Sequence, residues 1–174
     1  MAERLATGLG SQSMNARFWV AVGLGSGRSP IAPGTTGTLG VLPLMYVIWD
    51  QPAAWWIGGL LILIVLNYWS VGEAGRILGQ TDHGQIVIDE WAGMWIAGFG
   101  IQLFTELDVV SGLILGFVGF RLFDILKPWP VSWCERAFSG TTGVLLDDIA
   151  AGLYVLVLAW LSAMMRGLGV FGTA

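Results

Sequence analysis

The sequence predicts an all-α fold: a polytopic membrane helical bundle of about four to five apolar segments, with polar, glycine-rich loops converging on the cytoplasmic face. Three observations lead there. Only 11% of the residues are charged and 55% are hydrophobic, against roughly 25% charged in a soluble globular chain; mean hydropathy is +0.73. Apolar runs alternate with polar breaks, and the basic residues collect at one set of breaks. Ten Trp and 26 Gly fit the same class, because Trp anchors at membrane interfaces and Gly lets helices approach closely in lipid.

The chain of 174 residues reads as one domain, with residues 1–17 a polar, mobile N-terminal segment. MAERLATGLGSQSMNARFW has no unbroken apolar run and no clear cleavage site, so no removed signal peptide is expected. Phe18 to Leu24 is apolar but too short to span, and suits an interfacial or re-entrant element. Gly25 to Gly40, GSGRSPIAPGTTGTLG, reads as a loop rich in backbone donors. Five apolar segments follow. Leu39 to Trp49 is short and weakened by Pro43; Ala53 to Val71 is nearly a full span of about 20 residues. The others run from Ile88 to Phe104, Val109 to Leu126 and Ile149 to Met165.

If the segments alternate sides, Arg4, Arg17, Arg28, Arg76, Lys127 and Arg136 share one face, Arg121 lies near it, and Arg166 lies opposite. The positive-inside bias makes the basic face cytoplasmic. The three long loops, Gly25 to Thr38, Gly72 to Asp89 and Lys127 to Asp148, fall on that face together. A pI near 4.7 argues against nucleic acid, which needs a basic surface. Cys134, the sole cysteine, excludes an intrachain disulfide.

Acidic groups inside such a chain are costly and mark function. TDHGQIVIDEWAGMW, Thr81 to Trp95, places Asp82, His83, Asp89 and Glu90 at the mouth of an apolar segment. Adjacent residues diverge by about 100° on a helix, so Asp89 and Glu90 cannot both turn away from a bundle interior. They serve either as a helix N-terminal cap, favoured by the helix dipole, or as oxygen ligands for a hard ion such as Mg²⁺. FRLFDILKPWP repeats the theme: Arg121, Asp124 and Lys127 are spaced by three, before Pro128 stops the helix. Asp147 and Asp148 stand at the head of the last apolar segment. A salt bridge from Arg121 to Asp124 and a cap at Asp147 are the structural alternatives there.

His83 beside Asp82 is a solvated loop residue or a proton carrier. Arg28 is a bidentate phosphate ligand or a positive-inside anchor. Thr35, Thr36 and Thr38, with Gly34 and Gly37, suggest an anion-binding nest. Gly112 and Gly116 read as helix packing. Trp55, Trp56, Trp69, Trp129 and Trp133 read as interfacial anchors.

The sequence has no P-loop lysine, no GxSxG elbow, no arginine six residues after Cys134, where Gly140 stands, and no DxDx[TV] nucleophile motif. Chemistry here must use carboxylates, a hard metal and a few basic groups, a set suited to phosphate ester hydrolysis. The other classes are a small carboxylate-lined ion carrier or channel, and a non-catalytic membrane scaffold. The acids sit at segment ends rather than at a midplane, which favours the enzyme.

GSGRSPIAPGTTGTLG, DHGQIVIDEWAGMW, FRLFDILKPWPVSW and GTTGVLLDDIAAG, in this order and spacing, closely resemble the phosphatidylglycerophosphatase A family. The resemblance covers about Val20 to Ala159, and four linked motifs are more specific than any one. It implies Mg²⁺-dependent hydrolysis of the lipid phosphatidylglycerophosphate to phosphatidylglycerol at the bacterial inner membrane. The matching residues are Asp82, His83, Asp89 and Glu90, then Arg121, Asp124 and Lys127, then Asp147 and Asp148; Thr35, Gly37 and Thr38 fit the first motif. The expected roles are catalysis by Asp89, Glu90, Asp148 and His83, metal ligation by Asp82, Asp89, Glu90, Asp124, Asp147 and Asp148, and substrate binding by Arg121, Lys127, Arg28, Thr35, Thr36 and Thr38. Glycine-rich helices permit a homodimer without requiring one.

Overall fold

A computed structural model of the chain describes residues 14–168, and every regular element among them is helical. Of the expected N-terminal segment, residues 1–13 lie outside the described residues. From Asn15 onward it is ordered into helix: the Asn15 side chain accepts the Phe18 N–H at 3.1 Å and caps α1 (Ala16–Ala21). Phe18 and Ala21 are buried, and α1 packs on α4 (Ala53–Leu78), with the Arg17 guanidinium 5.4 Å from the Trp69 ring.

The stretch read as a donor-rich loop is half helical. A 3₁₀ segment covers Gly23–Arg28, and α2 covers Pro33–Leu39. Ala32, left-handed at φ 47°, turns the chain, and Pro33 then occupies the first helical turn, where its missing N–H costs nothing. Thr35, Thr36 and Thr38 therefore sit on a helix, not in a nest. The next apolar stretch yields only α3 (Leu42–Ile48), 7 residues or about 10 Å, against a hydrocarbon thickness of about 30 Å. Pro43 starts this helix rather than weakening a longer one, and α3 is no span.

Among the described residues, three helices are long and apolar enough to cross a membrane: α4, α6 (Val109–Leu126) and α8 (Gly140–Gly167). Between α4 and α6 lies α5 (Ile88–Phe104), of 17 residues, and between α6 and α8 the short α7 (Val131–Ala137). The bounds of α5 and α6 coincide with the sequence expectation. In contrast, α8 begins nine residues before Ile149, because packing against α7 overrides the weak propensity of a Gly-Thr stretch. Asp147 and Asp148 consequently lie two turns inside the helix, and a capping role for Asp147 is excluded.

Helix α5 is the axis of the bundle, packed by α4, α6, α8 and α2. Ala92, Gly93, Met94, Trp95, Ala97 and Gly98 are all buried on it. Trp56, expected at an interface, belongs to this core at 1% exposure: its ring lies 5.3 Å from that of Trp95, whose indole N–H donates to the Trp56 carbonyl at 2.7 Å. Trp55, Trp69, Trp129 and Trp133 are exposed. Gly112 faces Trp49 and Gly116 faces Met94 and Gly98, so that glycine pair does pack helices. At one end of the bundle Arg166 donates to the Phe104 carbonyl at 2.6 Å. There Asp108 caps α6 by accepting the N–H groups of Val110 and Ser111, and hydrogen bonding from Ser111 holds its carboxyl below the usual range. The opposite end gathers the long connections.

Candidate active site

Two helices carry the same local pattern, Asp89-Glu90-Trp91-Ala92-Gly93 on α5 and Asp148-Ile149-Ala150-Ala151-Gly152 on α8. The glycines form the crossing. A Cβ on Gly93 would come 2.5 Å from the Asp148 carbonyl oxygen, and one on Gly152 would collide with the Gly93 carbonyl. Since each aspartate precedes its glycine by four residues, about one turn, close contact of the glycines brings Asp89 and Asp148 to the same place. Both are buried, at 1% and 4% exposure.

That place is a cavity of about 100 Å³. Helix α5 contributes Asp89 and Glu90 to its wall, α6 contributes Asp124, and α8 contributes Val144, Asp147 and Asp148. The 79–87 connection adds Asp82 and His83, and Lys127, in the left-handed conformation at φ 45° just after α6, closes the ring. Six carboxylates thus face one small volume. Lys127 Nζ lies 3.1 Å from Asp147 Oδ2, and Arg121 bridges Asp124 at 2.6 Å and Glu90 at 3.3 Å. Two cations cannot balance six carboxylates, so the ring favours a further cation or protons.

The remaining contacts fix individual side chains. Thr38 Oγ1 donates to Glu90 Oε2 at 2.5 Å. The Glu90 N–H donates to Asp89 Oδ1 at 2.9 Å, and the Asp148 N–H to Asp147 Oδ1 at 3.1 Å. Helix α2 reaches the ring only because residue 34 is glycine: a Cβ there would stand 2.5 Å from Glu90 Oε1 and 3.1 Å from Arg121 Nη2. Trp91 pins the same helix, donating its indole N–H to the Gly37 carbonyl at 2.8 Å.

The expected residues do not all converge. Asp82, His83, Asp89, Glu90, Asp124, Lys127, Asp147 and Asp148 line the cavity, while Thr38 and Arg121 stand behind Glu90. Thr36 donates to backbone carbonyls, including that of Ser26 at 3.0 Å, and Arg28 is exposed with its guanidinium 5.3 Å from the Trp19 ring. Neither they nor Thr35 line the cavity. His83 Nδ1 accepts the Gln85 N–H at 3.2 Å, which ties it into its own turn. Sequence reasoning misses Gly93 and Gly152 altogether and reads Gly34 as part of an anion-binding nest, whereas all three are close-approach positions. The repeated Asp-x-x-Ala-Gly pattern was the signal available for two of them.

The donor set suits Mg²⁺, which takes oxygen ligands. Among the described residues no three His, Cys, Asp or Glu side chains form a metal cage. Mg²⁺ does not need one, since it is commonly held by one or two carboxylates together with water and substrate phosphate.

Comparison with known proteins bears on the chemistry. Residues 19–163 match the family described as phosphatidylglycerophosphatase A. The chain is 38% identical over 136 residues to phosphatidylglycerophosphatase A of Escherichia coli strain K12, covering 77% of this chain and 76% of the relative. A protein of Bacteroides thetaiotaomicron, provisionally named a phosphatidylinositol-3-phosphatase, is 32% identical over 144 residues, or 80% of this chain and 88% of the relative. Phosphatidylglycerophosphatase A of Haemophilus influenzae is 29% identical over 153 residues, covering 84% and 88%. No solved structure matches the chain.

Proposed function

This chain belongs to the phosphatidylglycerophosphatase A family and removes the terminal phosphate of phosphatidylglycerophosphate to give phosphatidylglycerol; we propose that it does so in the carboxylate-ringed cavity, with Mg²⁺, at the cytoplasmic face of a bacterial inner membrane. The observation that carries this reading is the six-carboxylate ring around a small cavity of about 100 Å³. A carrier or scaffold role has no support beyond the acids themselves.

Asp89 and Asp148, buried and on opposite helices, are the residues proposed to act on the reacting phosphate, with Asp82, Glu90, Asp124 and Asp147 completing the oxygen donors available to Mg²⁺. Bound there, the metal would polarise the phosphoryl oxygens. Lys127, on the cavity wall, offsets charge developing on the phosphate. Arg121 is absent from that wall and acts by holding Glu90 and Asp124 in position. One of the two buried aspartates takes the proton of the attacking water. The cytoplasmic orientation is supported by the basic residues: Arg17, Arg28, Arg76, Arg121, Lys127 and Arg136 lie toward the site end of the helices and Arg166 at the other. A lipid phosphate in that leaflet reaches the cavity with its acyl chains still in the bilayer.

The test is phosphate release from dispersed phosphatidylglycerophosphate by the purified chain, with Mg²⁺ and with EDTA. Release with Mg²⁺ and its loss in EDTA are expected. Undiminished release in EDTA would overturn the metal assignment.

A further inference from the structure

The reacting cavity is small, at about 100 Å³, and its carboxylate ring suits the one phosphate that reacts. The substrate head group carries two phosphates. The terminal monoester is removed; across a glycerol lies the phosphodiester that joins the head group to diacylglycerol. The glycerol and the phosphodiester need a second polar volume that opens from the first.

Such a volume adjoins it. A cavity of about 290 Å³ shares Asp82, Val144 and Asp147 with the reacting cavity and adds Thr81, Arg136 and Ser139 to its walls. Arg136 supplies the positive charge. Whereas Arg121, Lys127 and Arg76 are paired with carboxylates, among the described residues Arg136 makes no ion pair, and its hydrogen bond to Ser132 Oγ is long, at 3.5 Å. The helix that carries it, α7, ends at an edge-to-face contact of Trp133 with Phe138, both exposed, with ring centres 5.9 Å apart. An exposed Trp such as Trp133 marks the interfacial depth of a bilayer, where a phospholipid's phosphodiester lies.

We propose that this second cavity is the subsite for the substrate phosphodiester, and that Arg136 recognises it. The inference rests on the phosphatase reading of the reacting cavity. A guanidinium makes paired, charge-assisted hydrogen bonds to phosphate oxygens, so Arg136 separates a substrate with two phosphates from one with a single phosphate. Phosphatidate, a monoester carried directly on diacylglycerol, would engage the reacting cavity alone.

The experiment compares kcat/KM on phosphatidylglycerophosphate and on phosphatidate in the same mixed micelles, for the full chain and its Arg136→Ala and Arg136→Lys variants. The ratio of the two values should fall at least tenfold in R136A, mainly through a higher KM for the two-phosphate lipid, with R136K intermediate. Glycerophosphoglycerol, a head group with the phosphodiester and no monoester, should inhibit the wild type more strongly than R136A. If R136A unfolds at a lower temperature than the wild type, Arg136→Gln carries the same ratio measurement. An unchanged ratio, whether both rates fall together or neither falls, overturns the subsite. Absence of phosphate release from phosphatidylglycerophosphate by the wild type would instead overturn the reading of the reacting cavity.

Discussion

Helices α5 and α8 present the same Asp-x-x-Ala-Gly pattern to one another, yet the two aspartates occupy different surroundings. Asp89 lies in the first turn of α5, where unpaired backbone N–H groups and the positive end of the helix dipole favour a carboxylate; it accepts the Glu90 N–H at 2.9 Å. Asp148 lies eight residues into α8, beyond the reach of that first turn. Its own N–H goes to the Asp147 side chain. The fold thus supports the charge of Asp89 from its own helix, whereas the charge of Asp148 depends on what enters the cavity. The glycines show no such difference, since each is required by the backbone of the other helix.

Breaking the crossing should have the largest effect. In Gly152→Val, the new Cβ meets the Gly93 carbonyl, and neither backbone can retreat without separating Asp89 from Asp148. Overpacking of this kind costs about 3 kcal/mol. Loss of activity together with a lower thermal unfolding midpoint in detergent is expected. A variant as stable and active as the wild type would show that the crossing does not set the site.

Replacing the aspartates should separate chemistry from folding. Asp89→Asn and Asp148→Asn are each expected to reduce phosphate release at least about a thousandfold, and the double variant little further, because groups that act as a unit are not additive. Both should remain folded. D148N should gain more thermal stability than D89N in the absence of Mg²⁺, because it removes a buried carboxyl that no first-turn N–H supports. Equal gains would show that the first-turn position of Asp89 has no energetic consequence.

A smaller loss is expected behind the ring. Thr38→Val removes the hydroxyl that donates to Glu90 while keeping the side chain's shape. Hydrogen bonds to charged groups contribute about 1.5–3 kcal/mol, and about 1.4 kcal/mol is a factor of ten, so activity should fall about 10–100-fold. Thr36→Val, whose hydroxyl serves backbone carbonyls, tests the contrast. If the two variants behave alike, the Thr38 to Glu90 contact is not what orients the acid.

The acids were legible because a carboxylate in apolar sequence is costly wherever it lies. The bounds of α5 and α6 were legible too, since Asp89 and Glu90 open one and Asp108 caps the other. Hydropathy failed where helix and lipid part company: α4 continues past Val71 through Glu73 and Arg76 to Leu78, and α8 starts in Gly140–Gly143. Glycine was ambiguous for a related reason. Composition reads Gly34, Gly37 and Gly140 as loop, whereas the requirement at Gly34, Gly93 and Gly152 is for close approach, which depends on a partner distant in sequence. Arg28 and Thr36 show the converse, where a motif supplied plausible residue types that the backbone turns elsewhere.

The smallest effect is expected at His83, the sole histidine and the residue type most often used for proton transfer. It lines the cavity, but its Nδ1 is engaged by the Gln85 N–H at 3.2 Å, so part of its role is to shape the 79–87 connection that also carries Asp82. Six carboxylates already stand around the reacting volume, and a proton acceptor there need not be an imidazole. His83→Ala should lower kcat about tenfold or less, against about a thousandfold for D89N or D148N. His83→Asn, which keeps an acceptor for the Gln85 N–H, should recover part of that loss. A collapse in both histidine variants as deep as that of the aspartate variants would move the acid-base role from the α5 and α8 pair to the connecting segment.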